Sequence, residues 1–351
     1  MREVYRILDA NLNRAREAMR VAEEYGRFVL NDARLASMAK TMRSDLQQLV
    51  AALPAGALLA ARNTPGDVGT TLTSDTEPLR TTPAATATAA CKRLTEALRA
   101  IEEYAKIVAP DAAARAEALR YRGYAFEQVL LARADRLGRF ARARLYVLLT
   151  TDLCKADPLV TAHAALGGGA DCIQLREKTL GDRALLEMAH RLREITARAG
   201  ALLIINDRPD IALLADADGV HVGQDDLPVD PVRAAIGGDR LVGLSTHSVD
   251  QARRAAEVGA DYIGIGPMFA TATKDAGAVQ GPSLVADVLA AVDIPHVAIG
   301  GITADNAPAL ARAGARCIAV CSAVLAADDP RATAAAIKGN FVGAMEAPRE
   351  G

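Results

Sequence analysis

The sequence has no tryptophan, and aromatic residues make up only 3% of its 351 residues. Hydrophobic residues nevertheless make up 51%, so aliphatic side chains and alanine must fill the cores. A strong charge of either sign is also lacking, because the formal net charge is -2 at pH 7. Surfaces that bind nucleic acid carry a marked positive excess. We therefore expect no nucleic-acid partner, and locally placed cations must meet any anionic ligand.

The five cysteines form no Cys-x-x-Cys pair, and most of them lie in apolar runs. This pattern predicts reduced core residues of a cytoplasmic protein and no zinc site. The first residues are charged and lack the apolar segment of a signal peptide. No apolar run approaches the length of a membrane span. We expect a cytoplasmic location and no membrane partner.

Several catalytic signatures are missing as well. The sequence contains neither a Walker A loop nor the protein-kinase motifs, and no convincing Ser-His-Asp or Cys-His arrangement. His163 and His190 fall in helical stretches, and His221 falls in a strand-like run, where a packed imidazole is expected. His247 lies after a strand, and a structural role is expected there too. Chemistry that depends on a strong nucleophile or base is not indicated.

The length suits two domains, and the hydrophobic pattern changes near residue 145. Residues 1–137 have the period of roughly 3.6 that is typical of helices and predict a small all-α domain. Residues 138–144 are charged and suit either a helix extension or a linker. Residues 145–338 alternate short apolar runs with amphipathic helices. Residues 339–351 form a tail with no readable signal.

The N-terminal domain contains a repeated helix, first from Asn11 to Leu30 and again after Lys92. Residues three and four apart share one face of a helix. We expect the repeated charged residues to face one another in an inward, ion-paired site that Asp67 to Thr70 would close. Its members are Arg14, Glu17, Glu24, Arg93, Glu96 and Glu103. A pair of ion-paired core helices at a dimer interface is the alternative.

Polar segments separate the predicted helices of this domain. Residues Arg62 to Thr71 combine turn residues and hydroxyls without a helical period. The Thr/Ala/Pro-rich stretch from Asp75 to Thr88 is typical of a surface loop. Further helices are predicted at about 35–53 and 111–137.

Eight short apolar runs in the second domain predict buried strands. They lie at residues 145–150, 171–175, 202–206, 219–222, 241–245, 262–266, 296–300 and 317–321. Several follow a Gly-Ala-Asp sequence or a variant of it, in which a small residue ends a helix before the strand begins. The predicted fold class is α/β, a (β/α)8 TIM barrel preceded by a small all-α domain. An open doubly wound sheet stays possible on pattern alone.

Polar residues concentrate just after these runs, where barrel strands form active sites. They lie in Gln174–Lys178, Asn206–Arg208, His221–Asp226, Gly243–His247, Thr271–Lys274, Gly300–Gly301 and at Ser322. Arg176, Lys178 and Lys274 can neutralise phosphate oxygens. Asp207 and Asp226 can hold Mg²⁺, which completes its shell with phosphate oxygens and water. The combination predicts a metal-bridged diphosphate, with a second phosphate at backbone N–H groups.

Each of these features has a structural alternative. The cations after the second strand could form a surface ion network, and Asp225–Asp226 could cap a helix or turn. Gly300–Gly301 could be a tight turn. These alternatives would all have to coincide at the strand ends of one barrel, which favours the functional interpretation.

Taken in order, these motifs resemble thiamine-phosphate synthase over residues 145 to 338. The resemblance implies condensation of hydroxymethylpyrimidine diphosphate with a thiazole phosphate, or its carboxylate, with Mg²⁺ as cofactor and diphosphate as the second product. It implies catalytic roles for Arg176, Lys178, Ser245 and Lys274, and metal binding by Asp207 and Asp226. The implied substrate contacts are Gln174, Leu175, Arg176, Glu177, Lys178, Asn206, Ser245, Thr271, Thr273, Lys274, Gly301, Cys321 and Ser322. Cys321 departs from the aliphatic residue of most relatives, which leaves backbone contacts unaffected.

The implied chemistry suits these residues. Diphosphate would leave from a carbon attached to an electron-rich aminopyrimidine, so a dissociative path is expected. The protein then needs Mg²⁺ and cations to absorb charge on the leaving group, together with a fixed arrangement of the two rings.

The N-terminal domain, with its duplicated Arg-x-x-Glu-Glu-Tyr pattern, resembles a small domain found fused to this synthase. That family is associated with phosphorylation of hydroxymethylpyrimidine phosphate, with ATP as a possible cofactor. We expect a bifunctional thiamine-pathway enzyme that binds small-molecule substrates and forms a homo-oligomer. Two alternatives stay open. The barrel could be a thiazole tautomerase or another phosphate-binding barrel, and the N-terminal domain could be a non-catalytic interaction module.

Overall fold

The protein is described from a computed structural model, which covers residues 1–68, 80–271 and 278–347. The chain divides into two compact units, Met1–Ala134 and Asp135–Gly351. Helices form the first unit, and a closed eight-stranded barrel with surrounding helices forms the second. The fold class predicted from the sequence is therefore confirmed. Residues 138–142 continue a helix, so the helix-extension alternative describes most of the stretch before the first strand.

The first unit contains four helices and most of a fifth within the described residues. They are α1 (Arg2–Glu24), which continues into a π-helical turn at Tyr25–Val29, α2 (Ala33–Ala51), α3 (Ala57–Ala61), α4 (Pro83–Val108) and α5 (Pro110–Arg142). Helices α1 and α4 pack along one another. Ala15 and Ala22 of α1 and Ala90 and Ala97 of α4 are buried. Side chains this small let the two helix axes approach closely.

The surface loop expected for residues 75–88 is wrong from Pro83 onward, because α4 begins there. Thr82 caps the helix, and its hydroxyl oxygen accepts a hydrogen bond from the Ala85 N–H at 3.1 Å. Proline is favoured at the first helical position after such a cap. The alanine-rich run that follows has high helix propensity. Residues 69–79, which include the rest of the expected loop, lie outside the described part of the chain.

All eight predicted strands are present in the second unit and pair in parallel around a closed barrel. They are β1 (Leu145–Leu149), β2 (Cys172–Leu175), β3 (Leu202–Asn206), β4 (Gly219–Val222), β5 (Leu241–Thr246), β6 (Tyr262–Ile265), β7 (His296–Ile299) and β8 (Ile318–Val320). The pairing of β1 with β8, which sets Tyr146 opposite Ala319, closes the ring. The open-sheet alternative is excluded.

Nine helices surround this barrel in the described ranges. They are α6 (Pro158–Gly167), α7 (Asp182–Ala199), α8 (Pro209–Leu214), α9 (Val229–Ile236), α10 (Val249–Glu257), α11 (Ser283–Ala291), α12 (Ala307–Arg312), α13 (Ser322–Leu325) and α14 (Pro330–Glu346). Their apolar faces and the outward-facing strand residues form the larger core, and a smaller cluster fills the inside of the barrel. Phe140, from the last turn of α5, belongs to this inner cluster and packs on Tyr262 with ring centroids 4.2 Å apart.

An aspartate before three of the strands joins each of them to the preceding strand. Asp171 accepts from the Leu145 N–H at 3.0 Å, and Asp261 accepts from the Val242 N–H at 2.7 Å. Asp218, which precedes β4, likewise accepts from the Leu203 N–H of β3 at 3.0 Å. The Gly-Ala-Asp sequences and their variant therefore fix the N-terminal ends of strand pairs. These structural contacts lie at the N-terminal ends of the strands, whereas the candidate functional side chains lie at the C-terminal ends.

Candidate functional site

A cavity of about 720 Å³ lies at the C-terminal ends of the strands. Most of the side chains that the sequence singled out line it, although they come from seven different strand ends. They are Gln174, Arg176, Lys178, Asn206, Asp207, Asp226, Ser245, Thr271, Gly301, Cys321 and Ser322. Residues more than 140 positions apart in the sequence thus meet around one space.

Two of the expected substrate contacts point elsewhere. The side chain of Leu175 is 1% exposed and packs in the outer core, because alternate strand residues face away from the barrel axis. The Glu177 carboxylate accepts hydrogen bonds from the backbone N–H and the hydroxyl of Thr151, and so fixes the loop after β1. Neither side chain lines the cavity. Thr273 and Lys274 lie outside the described residues.

Asp207 and Asp226 face each other across the ends of β3 and β4. Burial, together with the neighbouring Asp226 carboxylate, raises the pKa of Asp207 to about 6. The positive charges of Lys178 and Arg176 act on the same pKa in the opposite direction. The cations therefore lie close enough to the acidic pair to act on one bound anion together with it.

The backbone around this pair has unusual geometry. Asp207 adopts a φ of 60°, a conformation that non-glycine residues rarely adopt. Asp226 folds back so that one carboxylate oxygen accepts from the Gly223 N–H at 2.8 Å. A Cβ on residue 223 would lie 2.8 Å from that same oxygen, so a larger residue there would displace the Asp226 carboxylate from this position. The carboxylates are held in place by local backbone structure.

This donor set fits a hard divalent cation. It offers oxygen atoms, and no group of three or more His, Cys, Asp or Glu residues that could hold a metal occurs within the ranges described. Mg²⁺ typically takes one or two protein carboxylates and leaves its other positions to phosphate oxygens and water. A site with two carboxylates beside two cations matches that preference.

Gly300 and Gly301 follow β7 and line another side of the cavity. Both have positive φ, at 110° and 63°. A Cβ on Gly300 would lie 2.8 Å from the Pro267 Cα, and a Cβ on Gly301 would overlap the Ala270 carbonyl oxygen. Only glycine suits such positions. The chain therefore presents bare backbone to the cavity here, as phosphate sites of these barrels do.

The floor of the cavity carries polar side chains that the sequence analysis did not assign. Tyr146 and Tyr262 are both almost fully buried in the barrel interior, and His221 lies beside them. The expectation of a packed imidazole at His221 was incomplete, because both ring nitrogens make hydrogen bonds at the cavity. A tyrosine or histidine at an inward-facing strand position among aliphatic residues was the available signal. His247 has a structural contact, since its Nδ1 lies 2.6 Å from the Gly266 carbonyl oxygen.

In the first unit, the expected inward ion-paired site is wrong in its helical phase. All six expected members are exposed: Arg14, Glu17, Glu24, Arg93, Glu96 and Glu103. The buried acids are instead Glu23 and Glu102, which lie in phase with the apolar positions of α1 and α4. Arg43 donates to Glu23 at 2.7 Å, and Arg120 donates to Glu102 at 2.8 Å. The aligned pair Glu23 and Glu102 thus anchors each copy of the repeat to the helix that follows it.

The exposed members of the repeat have a different status. Arg14, Glu17, Arg93 and Glu96 make no hydrogen bond or ion pair with any residue that the structure describes. The residues just before the expected closing segment are held against α1, since Arg6 donates to the Asn63 and Gly66 carbonyl oxygens. Of the expected closing segment, Gly69 and Thr70 lie outside the described residues. Contacts among the described residues of this unit therefore do not account for the four repeated charges.

No helix in the described ranges has both the length and the apolarity that crossing a membrane requires.

Comparison with known proteins agrees with the geometry of both units. Residues 145–324 match the family model described as thiamine monophosphate synthase, and residues 6–129 match the ThiD2 family. The barrel resembles the solved structure of thiamine phosphate pyrophosphorylase from Pyrococcus furiosus. The TM-score is 0.54 and the identity 35%, over 59% of this chain and 98% of that one.

Two curated relatives align along nearly the whole chain. A thiamine-phosphate synthase from Gloeobacter violaceus is 43% identical over 95% of this chain and 95% of its own length. One from Thermosynechococcus vestitus is 44% identical over 93% of this chain and 92% of its own length. The chain therefore belongs to the thiamine-phosphate synthase family, with an N-terminal domain of the ThiD2 family.

Proposed function

We propose that the barrel joins hydroxymethylpyrimidine diphosphate to thiazole phosphate, or its carboxylate, and so forms thiamine phosphate and free diphosphate. The observation that supports this best is the convergence of one acidic pair, two cations and a glycine cradle on a single cavity. A simple anion trap would need no acids. A volume of about 720 Å³ is within the range of small-molecule sites and suits two ring systems side by side.

Asp207 and Asp226 would hold Mg²⁺, which when bound offsets negative charge on the diphosphate. Arg176 would bind phosphate oxygens through its forked guanidinium, and Lys178 would act as a point charge. By the resemblance, Lys274 adds a third cation. All of these groups stabilise the leaving diphosphate more than the intact substrate, which is the condition for lowering the barrier.

Gln174, Asn206 and Ser245 would orient the pyrimidine ring. Thr271, Thr273, Gly301, Cys321 and Ser322 would hold the thiazole phosphate, with Gly301 and Cys321 acting through backbone N–H groups. The electron-rich pyrimidine stabilises the carbon that loses diphosphate, so the path is dissociative and the thiazole nitrogen attacks a cation-like centre. The protein supplies position and electrostatics, and needs no nucleophile of its own.

Incubation of the full chain with both substrates and Mg²⁺ tests this proposal. Thiamine phosphate and diphosphate should appear in equal amounts, and the reaction should stop in the presence of a chelator. A thiazole tautomerase would instead convert the thiazole substrate without the pyrimidine diphosphate. Turnover of that kind, with no thiamine phosphate formed, would overturn the proposal.

For the N-terminal domain, residues 1–137, we propose phosphorylation of hydroxymethylpyrimidine phosphate to the diphosphate that the barrel, residues 145–338, consumes. ATP would be the phosphate donor. The support is the family match together with Arg14, Glu17, Arg93 and Glu96, which are repeated, exposed and without an ion-pair partner among the described residues. Exposed charges of both signs suit a phosphorylated ligand and its counterion better than a core.

The kinase proposal is tested with the full chain, ATP, Mg²⁺ and the pyrimidine monophosphate. The double variant Arg14→Ala/Arg93→Ala should lose diphosphate formation while keeping the synthase reaction when pyrimidine diphosphate is supplied. Arg34→Ala, an exposed arginine outside the repeat, is the matched control. A wild-type chain that never converts the monophosphate would favour the non-catalytic interaction module.

We also propose a cytoplasmic location and a homo-oligomeric assembly. Exposed apolar side chains of the first unit, including Phe28 and Ile107 at 68% and 58% exposure, support the assembly. Sedimentation velocity of the full chain would measure it.

A further inference from the structure

A continuous hydrogen-bond chain crosses the inside of the barrel below the cavity. Gln174 Nε2 lies 2.8 Å from the Tyr146 hydroxyl, which lies 3.2 Å from the Tyr262 hydroxyl. The Tyr262 hydroxyl lies 3.1 Å from His221 Nδ1, and His221 Nε2 lies 3.0 Å from Ser245 Oγ. We call these five hydrogen-bonded residues the interior chain. Its two ends, Gln174 on β2 and Ser245 on β5, both line the cavity.

The chemistry of the five groups fixes the direction of this chain. An amide nitrogen can only donate, so the Tyr146 oxygen accepts from Gln174. Tyr146 is 2% exposed, and its hydroxyl meets two groups that can accept: the sulfur of Cys172, which is a weak acceptor, and the oxygen of Tyr262, which is a strong one. A buried hydroxyl without a strong acceptor is costly. Tyr146 therefore donates to Tyr262, which in turn must pass its own hydrogen to His221 Nδ1.

The same logic determines what the two ends offer to a ligand. Because Nδ1 of His221 accepts, a neutral imidazole carries its hydrogen on Nε2 and donates it to Ser245 Oγ. The Ser245 hydroxyl then keeps its own hydrogen for another acceptor. At the other end, Gln174 has used its nitrogen on Tyr146, so its Oε1 is left to accept. The cavity thus presents one fixed donor and one fixed acceptor.

One glycine makes room for the interior chain. A Cβ on Gly243 would overlap both the Tyr262 ring and the His221 ring. Gly243 lies within β5, where glycine is unfavourable for the strand itself. The fold therefore gives up strand stability at this position to place the two rings.

We propose that Tyr146, Tyr262 and His221 are positioning residues that fix Ser245 as a hydrogen-bond donor and Gln174 as an acceptor, so that the cavity selects a ring carrying an exocyclic amine and an unprotonated ring nitrogen. The inference rests on the proposed function, in which an aminopyrimidine contacts both ends. Such a ring gives an amine hydrogen to Gln174 Oε1 and accepts at a ring nitrogen from Ser245. The corresponding oxo ring, with a carbonyl and a ring N–H, offers the opposite pattern and is rejected.

Kinetic discrimination tests the proposal directly. The ratio of kcat/KM for the aminopyrimidine diphosphate to that for its oxo analogue is measured for the wild type and for Tyr262→Phe. Phenylalanine keeps the ring but interrupts the interior chain, so Ser245 and Gln174 can reorient. The ratio should therefore fall by about tenfold. The KM for the thiazole phosphate should not change. Tyr121→Phe, at an exposed tyrosine of the first unit, is the matched control.

A ratio that stays at the wild-type value in Tyr262→Phe, with both analogues slowed equally, would overturn the proposal. Ser245→Ala separates this failure from failure of the proposed function. If Ser245→Ala leaves the KM for the pyrimidine diphosphate unchanged, the assigned substrate site is wrong. If it raises that KM while Tyr262→Phe leaves the ratio unchanged, the site stands and only the positioning role fails.

The tautomer of His221 gives a second reading on the unaltered protein. Nitrogen-15 NMR distinguishes a protonated from an unprotonated ring nitrogen, and the chain has only five histidines, so His221→Gln identifies the signal. The proposal requires hydrogen on Nε2 and none on Nδ1. A neutral ring with hydrogen on Nδ1 would reverse the direction of the hydrogen bonds in the interior chain. The assignment of Ser245 as donor and Gln174 as acceptor would then be wrong.

Discussion

Asp218 accepts a hydrogen bond from the backbone N–H of Leu203, in the neighbouring strand, at 3.0 Å, although its side chain is 0% exposed. The same carboxylate accepts from Arg139 at 2.8 Å and from Arg193 at 3.1 Å. Arg136 lies 3.3 Å away and completes the set. A single buried acid thus ties β3 to the last turns of α5 and to α7, at the barrel end opposite to the cavity.

Replacing Asp218 by asparagine should destabilise the barrel strongly. The substitution leaves three arginines without their shared carboxylate, and removal of one partner of a buried ion pair costs about 3 kcal/mol or more. Urea unfolding followed by circular dichroism measures the loss. Asp250→Asn, which breaks an exposed pair with Arg253, should cost less than about 1 kcal/mol. Equal losses in the two variants would contradict the role assigned to Asp218.

Asp226→Asn should lower synthase turnover by at least about tenfold and weaken the dependence of the rate on Mg²⁺. Loss of a residue that only supports a metal ligand typically lowers metal affinity or activity by about tenfold or more, and loss of a ligand itself should cost at least as much. The rate is measured across a Mg²⁺ titration. Asp225→Asn, at the adjacent exposed aspartate outside the cavity lining, should behave like the wild type. Near-normal activity of Asp226→Asn would remove that residue from the metal site.

Gly301→Ala should raise the KM for thiazole phosphate by about tenfold, a change of about 1.4 kcal/mol in binding. The new methyl group would overlap the Ala270 carbonyl oxygen and would force the backbone cradle to shift. Gly259→Ala is a stringent control, because its φ of 74° is equally unfavourable for alanine but nothing lies within 4 Å of the added Cβ. It should lose stability without any change in KM. An equal rise in KM in both variants would contradict the proposal that the backbone at Gly301 binds the thiazole phosphate.

His296 predicts a loss of barrel stability on acidification. Burial lowers its pKa below the ordinary 6.5, and its Nε2 accepts from the Arg316 N–H at 3.3 Å, which requires an unprotonated nitrogen. The unfolded chain therefore takes up a proton at higher pH than the folded one, so stability falls as pH decreases through about 6.5 and levels off below the folded pKa.

The measurement is the difference in unfolding free energy between the wild type and His296→Gln as a function of pH. The wild type should lose its advantage, relative to this variant, as the pH falls below about 6.5. His163→Gln, at an exposed histidine, should show no such trend. A constant difference between pH 7 and pH 5 would show that His296 is not responsible.

The barrel was predictable because its signals are local and repeated. Each strand is a short apolar run, and Asp171 and Asp261 mark strand beginnings with a motif whose hydrogen bonds can be traced in the structure. Polar residues after strands could be placed at one mouth, since all strands of such a barrel run the same way. The convergence of Asp207 and Asp226 followed from that parallel order alone.

What the sequence could not indicate depends on side-chain direction. Leu175 and Glu177 belong to the same motif as Gln174 and Arg176. The alternation of β2 turns Leu175 away from the cavity, and Glu177, in the loop after β2, bonds to Thr151 instead. Glu23 and Glu24 are adjacent, and only the exact phase of α1 decides that the first is buried. The role of Tyr262 became visible only in the structure, because the function of a phenolic hydroxyl depends on its hydrogen-bond partners, here Tyr146 and His221.

Phe140 has a consequence for where the synthase begins. Its ring occupies the floor of the barrel, yet it precedes β1 and lies before the first residue of the family match, Leu145. Arg136 and Arg139, which hold Asp218, also come before that point. A fragment cut at Leu145 would expose Tyr262 to water from below and would remove two of the three arginines that pair with the buried Asp218. The smallest autonomous barrel should therefore start at Asp135, ten residues ahead of the limit that sequence similarity draws.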